Sequence, residues 1–207
     1  YFASRGYVVL QPQFRGSSGF GGVLLDAGDG EWGAKMQSDL DDGVEFLVEQ
    51  GVVNPDRVCI VGGSYGGYAA LAAGAFSPDT YKCVVAFAPV TDIRQMLRQE
   101  RREHGKRDWV VDYWEEQVGA EASEKDVLAS ISPAHHAEAF KAPVLLLHGK
   151  DDTVVRIDQS KRMEKALRKA GKDVTFIQLK GEDHWLTQQE TRIETLRAMA
   201  SFIEKHL

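Results

Sequence analysis

The sequence predicts an α/β fold in which a largely parallel β-sheet is flanked by helices. Short apolar runs rich in β-branched residues, which are typical of buried strands, alternate along the chain with amphipathic stretches of helical period. Turns containing glycine, proline or asparagine separate the two kinds of segment. A length of 207 residues is enough for one domain with a sizeable hydrophobic core.

The chain opens with a segment typical of a helix end, followed by a predicted strand. Gly6 is expected to cap the turn that begins at Tyr1, and Tyr7–Gln11 is predicted to be a fully buried parallel strand. The glycine- and serine-rich stretch Pro12–Gly22 is predicted to be a loop. It lacks the Gly-Lys-Ser/Thr of a phosphate-binding loop, so Arg15 is expected to brace this loop rather than to bind a substrate.

The remaining elements follow in the same alternation. Helices are predicted at Asp39–Gln50, Tyr68–Phe76, Ile157–Ala170 and Gln188–Leu207, and strands at Val58–Val61, Cys83–Phe87, Pro143–Gly149 and Val174–Leu179. The stretch between Val90 and Phe140 is more polar, and we expect two or three short helices packed over one end of the sheet. The charged run within it, Arg98–Arg107, is interpreted as a solvated face rather than an anion site.

Composition restricts the classes of partner. The net charge of −6 argues against nucleic acid and anionic membranes, and no apolar run approaches the ~20 residues that span a bilayer. Cys59 and Cys83 each fall in a predicted buried strand and are interpreted as small buried hydrophobes rather than a disulfide or a metal pair. No cofactor or metal is predicted, since the adjacent His135 and His136 would not face one another on a helix. The oligomeric state and the compartment stay open.

The segment Gly62-Gly63-Ser64-Tyr65-Gly66 is a G-x-S-x-G motif between a predicted strand and a predicted helix. A strand that turns directly into a helix strains its corner residue and presents the Ser64 hydroxyl above the sheet. We expect the positions of Gly62 and Gly66 to have no room for a Cβ, because strand and helix nearly touch there. The helix N-terminus would direct the Tyr65 backbone N–H at an oxyanion. An ordinary glycine-rich turn with an incidental serine is the alternative.

A nucleophilic serine needs a base and an acid that orients the base. Asp152 follows the predicted strand Pro143–Gly149, and His184 follows the strand Val174–Leu179, in the order Ser, Asp, His. Carboxyl ends of parallel strands share one sheet edge, so these residues are expected to meet. A helix N-cap aspartate and a surface histidine are the alternatives. Asp151 stays a rival of Asp152, and Asp183 is a candidate supporting acid.

Five motifs together carry a resemblance that runs the length of the chain. They are Ser4-Arg5-Gly6-Tyr7-Val8-Val9-Leu10, Arg15-Gly16-Ser17-Ser18-Gly19-Phe20-Gly21, Gly62-Gly63-Ser64-Tyr65-Gly66-Gly67, His148-Gly149-Lys150-Asp151-Asp152 and Gly181-Glu182-Asp183-His184. With them the chain resembles the catalytic domain of the prolyl oligopeptidase family of serine peptidases, in its acylaminoacyl-peptidase and dipeptidyl-peptidase branch. The spacing of the family's aspartate after its His-Gly pair favours Asp152 over Asp151.

The resemblance implies an α/β-hydrolase fold, with residues 1–207 as a single catalytic domain and residues 90–140 as a helical insertion on the cap side. It also implies that this is the C-terminal part of a longer protein whose earlier sheet strands, a β-propeller and a second oxyanion donor lie upstream. The absence of an initiator Met and of a signal peptide is in keeping with this expectation.

The resemblance further implies hydrolysis of short or N-blocked peptides through an acyl-enzyme on Ser64, with His184 moving the proton and Asp152 holding the imidazole. Val90, Ile93 and Met96 would contribute to the substrate pocket. Arg156 stands where the family often has proline after Val-Val, which predicts a local change in that loop. A carboxylesterase with the same triad and a non-catalytic interaction domain remain the alternative functions.

Overall fold

A computed structural model describes all residues from 1 to 207 and contains one four-stranded parallel sheet. Its strands lie in chain order and are named β1 (Cys59–Gly63), β2 (Cys83–Phe87), β3 (Val144–Gly149) and β4 (Val174–Leu179). All three neighbouring pairs are parallel. The predicted alternation of strands and helices is therefore confirmed for these four strands.

Eight α-helices accompany the sheet. In chain order they are α1 (Gly22–Asp26), α2 (Lys35–Glu49), α3 (Tyr65–Phe76), α4 (Ile93–Glu103), α5 (Trp109–Val118), α6 (Lys125–Ser130), α7 (Asp158–Lys169) and α8 (Gln189–His206). Three-residue 3₁₀ turns lie at Ala3–Arg5, Pro133–His135 and Ala137–Ala139. None of these helices combines the length and apolar character that crossing a membrane requires. Helix α1 was not predicted, because its five residues show no periodicity.

The sheet separates two apolar layers because successive strand residues point to opposite faces. Val84, Ala86, Val144 and Leu146 pack with α3 and α7, whereas the alternate residues of β2 and β3 pack with α8. Helix α3 is almost entirely buried, as its run of alanines and glycines allows. These two layers fix the sheet edge from which the site residues project.

A third apolar cluster covers the carboxyl end of the sheet. It joins α3 to α4, α5 and α6, and its fully buried members include Tyr68, Ile93, Leu97 and Leu128. Trp32 and Met36 complete it from the region around the start of α2. The expected short helices over one end of the sheet are thus present as α4–α6, while their status as a cap-side insertion stays a prediction.

The predicted strand at Tyr7–Gln11 is wrong for this chain. No residue of that segment belongs to the sheet, and Val8, Val9 and Leu10 are 56%, 57% and 44% exposed. The physical reason is that a β-branched run becomes a strand only where a neighbouring strand accepts its hydrogen bonds. None of β1–β4 forms a ladder with this segment, and Val8–Leu10 are left exposed.

The interpretation of Cys59 and Cys83 as free cysteines is also wrong. They are joined by a disulfide, and the chain contains no free cysteine. β1 and β2 pair in a register that places the two residues directly opposite each other, with Cα atoms 4.7 Å apart, a separation that suits a disulfide. Each strand was recognisable from the sequence, but their adjacency and register were not.

Candidate active site

The turn from β1 to α3 presents Ser64 at the carboxyl edge of the sheet. Ser64 has φ 56° and ψ −119°, a conformation that a residue with a Cβ adopts only under strain, as predicted. Its own N–H donates to the Phe87 carbonyl at 2.9 Å, which ties the turn to the neighbouring strand β2. The hydroxyl is therefore held on a corner that is fixed from two sides.

Two glycines permit this corner, but they are not the pair that was expected. A Cβ on Gly62 would overlap the carbonyl group of Gly66, which confirms the close approach of strand and helix. A Cβ on Gly66 would meet nothing within 4 Å, so the expectation for that residue is wrong. Gly67 carries the second requirement, because its Cβ would lie 2.8 Å from the Phe87 carbonyl oxygen. The constraint runs from β1 through α3 to β2.

The N-terminus of α3 leaves a backbone donor beside the hydroxyl. The first hydrogen bond of this turn is from the Tyr68 N–H to the Ser64 carbonyl, at 3.0 Å. The Tyr65 N–H precedes that bond, so it has no partner within the helix. It lies at the positive end of the helix dipole, where an anion is stabilised.

His184 connects Ser64 to Asp152. Its Nε2 lies 3.0 Å from the Ser64 hydroxyl oxygen, and its Nδ1 lies 2.7 Å from Asp152 Oδ2. The carboxylate accepts from Nδ1–H, so Nε2 of the neutral ring is left to accept from the hydroxyl. The three predicted residues, which come from loops after three different strands, therefore form one hydrogen-bonded series. Asp151 is exposed and takes no part in it.

The Asp152 carboxylate is fully buried and heavily hydrogen-bonded. Its Oδ1 accepts from the backbone amides of Val154 and Val155, both at 2.9 Å. Burial would by itself raise the pKa of this carboxyl, but hydrogen bonds from His148, His184 and the Val155 amide outweigh that effect. The pKa of Asp152 is therefore held below its ordinary range, and the residue is an anion throughout the neutral range.

His148 supports this aspartate from below. The imidazole is fully buried, and its Nε2 lies 2.8 Å from the Val155 carbonyl oxygen and 3.3 Å from Asp152 Oδ2. Both of these atoms are acceptors, so Nε2 carries the proton and Nδ1 accepts from the Ser160 hydroxyl at 2.8 Å. The hydroxyl on α7 thus fixes the tautomer that faces Asp152.

Glu182 organises the loop that carries His184. Its fully buried carboxylate accepts from the backbone amides of Asp183 and Thr187, at 3.0 and 2.9 Å, and from the Thr191 hydroxyl. The Asp183 carboxylate accepts from the Trp185 amide at 2.9 Å and so shapes this loop. Asp183 makes no hydrogen bond to the imidazole, in contrast to the supporting role considered for it.

Backbone strain is concentrated at this edge of the sheet. The three non-glycine residues with positive φ are Ser64 at 56°, Ala88 at 44° and Leu186 at 52°. Ala88 directly follows β2, and Leu186 follows His184 by two residues. Clustering of such conformations is common where a site needs side chains held in positions that relaxed backbone would not provide.

The sequence model of a protein family, described as the prolyl oligopeptidase family, matches residues 1–207 of the chain. The chain belongs to the prolyl oligopeptidase family. The predicted family and the α/β-hydrolase fold are therefore confirmed, and the chain is a member of a family of serine peptidases.

Individual relatives of the family agree with this placement. The chain is 35% identical to dipeptidyl aminopeptidase BIII of Pseudoxanthomonas mexicana, over 92% of its length and 27% of that protein. It is 27% identical to the acylamino-acid-releasing enzyme of Arabidopsis thaliana, over 100% of its length and 27% of that protein. A solved puromycin-hydrolyzing peptidase of Mycobacterium tuberculosis superposes with a TM-score of 0.84 at 28% identity, covering 93% of this chain and 28% of the other. The chain thus spans about a quarter of the relatives it matches.

A cavity of about 280 Å³ opens beside Ser64, where the family resemblance placed a substrate pocket. Val90 and Met96 line it, and their role in binding a substrate stays a prediction. Ile93, the first residue of α4, does not line it, because its side chain is fully buried in the apolar cluster that joins α3 to α4–α6. Aromatic walls come from Trp32, Tyr65 and Trp114, and charged groups from Glu100, Glu103, His104 and Arg156. Part of the charged run Arg98–Arg107 therefore faces this cavity rather than open solvent.

Some residues of the site were not predicted from the sequence. His148 and Glu182 were quoted only as parts of motifs, although both are fully buried and polar. The signal for each was its short distance from a predicted site residue: His148 lies four residues before Asp152, and Glu182 lies two residues before His184. The brace predicted for Arg15 is confirmed, since its guanidinium donates twice to Asp39, at 2.8 and 2.7 Å.

Proposed function

We propose that this chain is the catalytic part of a serine peptidase that hydrolyses short peptides through an acyl-enzyme. The observation that carries the proposal is the hydrogen-bonded series from Ser64 through His184 to Asp152 at the mouth of the cavity. Membership of the prolyl oligopeptidase family supports it.

In the first half of the reaction, the Ser64 oxygen attacks the carbonyl carbon of the scissile amide. His184 Nε2 takes the hydroxyl proton as the new C–O bond forms, which makes the imidazole cationic. Asp152 stabilises that cation and keeps Nδ1–H pointed at itself. The negative charge that develops on the carbonyl oxygen is bound by the Tyr65 N–H.

In the second half, the proton on Nε2 passes to the leaving nitrogen, and the C–N bond breaks to leave an ester on Ser64. Water then enters, gives a proton to Nε2 and attacks the ester carbon. Ser64 leaves with the returning proton, so the side chains end as they began. The strained turn keeps the oxygen in the same place through both halves.

The substrates proposed are short peptides, with a free or a blocked N-terminus. Relatives named for dipeptidyl aminopeptidase activity and for release of acylamino acids support these two alternatives. A cavity of about 280 Å³ is near the lower limit of small-molecule sites, which are roughly 300–1,000 Å³. It suits one or two amino-acid residues. We also propose an upstream β-propeller and a second oxyanion donor in the whole protein.

The test replaces the three residues in the full-length protein. Ser64→Ala and His184→Ala should each lower turnover of a peptide amide by about 10⁶, and Asp152→Ala by about 10⁴. Asp151→Ala is the matched control and should keep near-normal turnover, because that side chain is exposed and outside the series. Near-normal rates in any of the first three variants would contradict the proposal.

Two further measurements separate the alternative functions. Cleavage of an ester with no cleavage of the matched amide would make the protein an esterase. An organophosphonate should label the wild-type protein on Ser64. Failure of the folded full-length protein to react would favour a non-catalytic interaction domain.

A further inference from the structure

Helix α4 turns one charged face toward the cavity beside Ser64. The residues it contributes are Met96, Gln99, Glu100 and Glu103, whose spacing of three, four and seven residues defines a single helix face. Two carboxylates therefore lie in a cavity that also contains the reactive hydroxyl. The proposed peptidase mechanism uses neither of them.

Glu103 is already neutralised within the protein. Its Oε1 accepts from Arg156 Nη2 at 3.0 Å and from Gln99 Nε2 at 3.3 Å. The loop that carries Arg156 follows Asp152, so this ion pair joins α4 to the loop that holds the aspartate of the site. A second cation would gain little from Glu103, because its charge is already paired.

Glu100 has no comparable partner. Its side chain is only 15% exposed, and its carboxylate makes no hydrogen bond. The single cationic group within 4.0 Å is His104 Nε2, at 3.5 Å, and imidazole is charged only when protonated. Burial raises the pKa of Glu100, Glu103 adds to that effect, and His104 opposes it. A largely desolvated carboxylate without a donor is costly in the free protein and is satisfied by a cationic ligand.

We infer that Glu100 binds a cationic group of the substrate inside the cavity, an inference that rests on the proposed peptidase function. The shared chemistry is a protonated nitrogen, supplied either by an arginine or lysine side chain or by the free N-terminus of a short peptide. The indole rings of Trp32 and Trp114 also line the cavity, and aromatic faces attract such cations. Selection for positively charged substrates follows from this arrangement.

The experiment uses the full-length protein and dipeptide aminomethylcoumarin amides that end in arginine or in citrulline, its uncharged analogue. Each substrate is prepared with a free and with an acetylated N-terminus. Glu100→Gln removes the charge and keeps the shape, while Glu100→Asp keeps the charge. Glu116→Gln is the matched control, because it makes the same change in charge at an exposed position on α5, outside the cavity.

The expected result is a fall in kcat/KM of about tenfold to a hundredfold in Glu100→Gln, confined to substrates with the recognised cation. If the arginine side chain is that cation, citrulline substrates keep their rate. If the N-terminus is that cation, acetylated substrates keep their rate whatever residue precedes the amide. Glu100→Asp should retain part of the preference, and Glu116→Gln all of it.

Equal effects of Glu100→Gln on all four substrates, or no effect on any, would overturn the role of Glu100 while leaving the peptidase function standing. A separate binding measurement tests the role of Glu100 even if the protein does not hydrolyse these substrates. Calorimetry on Ser64→Ala, with and without Glu100→Gln, should show tighter binding of the cationic peptide only when Glu100 is present. Absence of hydrolysis by the wild-type protein, with this binding preference intact, would count against the peptidase function alone. The absence of any preference would overturn the inference.

Discussion

At the scale of single residues, the site depends on the Asp152 carboxylate, which accepts hydrogen bonds from three donors besides His184. Asp152 receives two backbone amides, His184 and His148, so its charge and its orientation are fixed before any substrate arrives. In the proposed mechanism, this preorganisation means that no rearrangement is needed when the imidazole becomes a cation. The sequence motif indicates the aspartate but not its four donors.

The depressed pKa of Asp152 predicts how stability depends on pH. A carboxyl whose folded pKa lies below its unfolded value of about 3.9 contributes its full stabilisation above that pH. The contribution is lost as the pH falls from there through the folded pKa. Chemical denaturation between pH 3 and pH 7 should therefore show wild type approaching Asp152→Asn only below about pH 4.

Asp151→Asn is the control for this measurement, because its carboxylate is exposed and makes no hydrogen bond. Its free energy of unfolding should follow wild type across the whole pH range. A wild-type protein that loses the Asp152 contribution between pH 5 and pH 7 would show that the carboxyl is not an anion held by these donors.

His148 is expected to act as a positioning residue through Asp152. His148→Phe removes the N–H that faces the carboxylate and leaves the Val155 carbonyl and the Ser160 hydroxyl without partners, so it should lower unfolding free energy by about 1–3 kcal/mol. We expect kcat to fall at least tenfold, with recovery in His148→Gln, which keeps a donor near Nε2. Thermal unfolding and steady-state kinetics measure both. Unchanged kcat in a folded His148→Phe protein would contradict the role.

At the scale of elements, the site is built by one strand-to-helix corner and two loops. The sequence predicted β1, β3, β4 and the helix after Ser64 because each has a clear apolar period and a marked turn. The need for a glycine without a Cβ was assigned to Gly66 instead of Gly67. Motif spacing does not show which hydrogen of a glycine faces a neighbouring strand. Gly67 packs against β2, a neighbour that local sequence does not identify.

This geometry makes Gly62→Ala and Gly66→Ala a matched pair. The first adds a Cβ that overlaps the backbone of Gly66, so we expect a loss of about 3 kcal/mol or more in unfolding free energy. The second adds a Cβ that meets nothing within 4 Å, and alanine favours the helix by up to about 1 kcal/mol over glycine. Denaturant titration measures both, and equal losses in the two variants would contradict the close approach of Gly62 to the Gly66 carbonyl.

At the scale of the whole molecule, pairing between distant segments is what the sequence could not supply. The strand predicted at Tyr7–Gln11 and the free cysteines were both wrong for this reason. An apolar run does not reveal whether a neighbour is available, and two cysteines 24 residues apart do not reveal that their strands are adjacent and in register. Ser64, Asp152 and His184 meet because every parallel strand ends at the same edge, and their catalytic roles stay a prediction.

The unpaired side of β1 and the exposed apolar run at Val8–Leu10 predict how the 207-residue chain behaves in isolation. Unpaired strand edges and apolar surface promote self-association, so the isolated chain should form concentration-dependent oligomers in sedimentation and should bind a hydrophobic dye. Replacing Val8 and Val9 by lysine should reduce both signals without lowering stability, because both side chains are already exposed. Val127→Lys is the control, since that valine is also exposed, at 47%, and lies on α6 rather than in this run. A strictly monomeric chain that binds no dye would contradict the prediction that this exposed surface drives self-association.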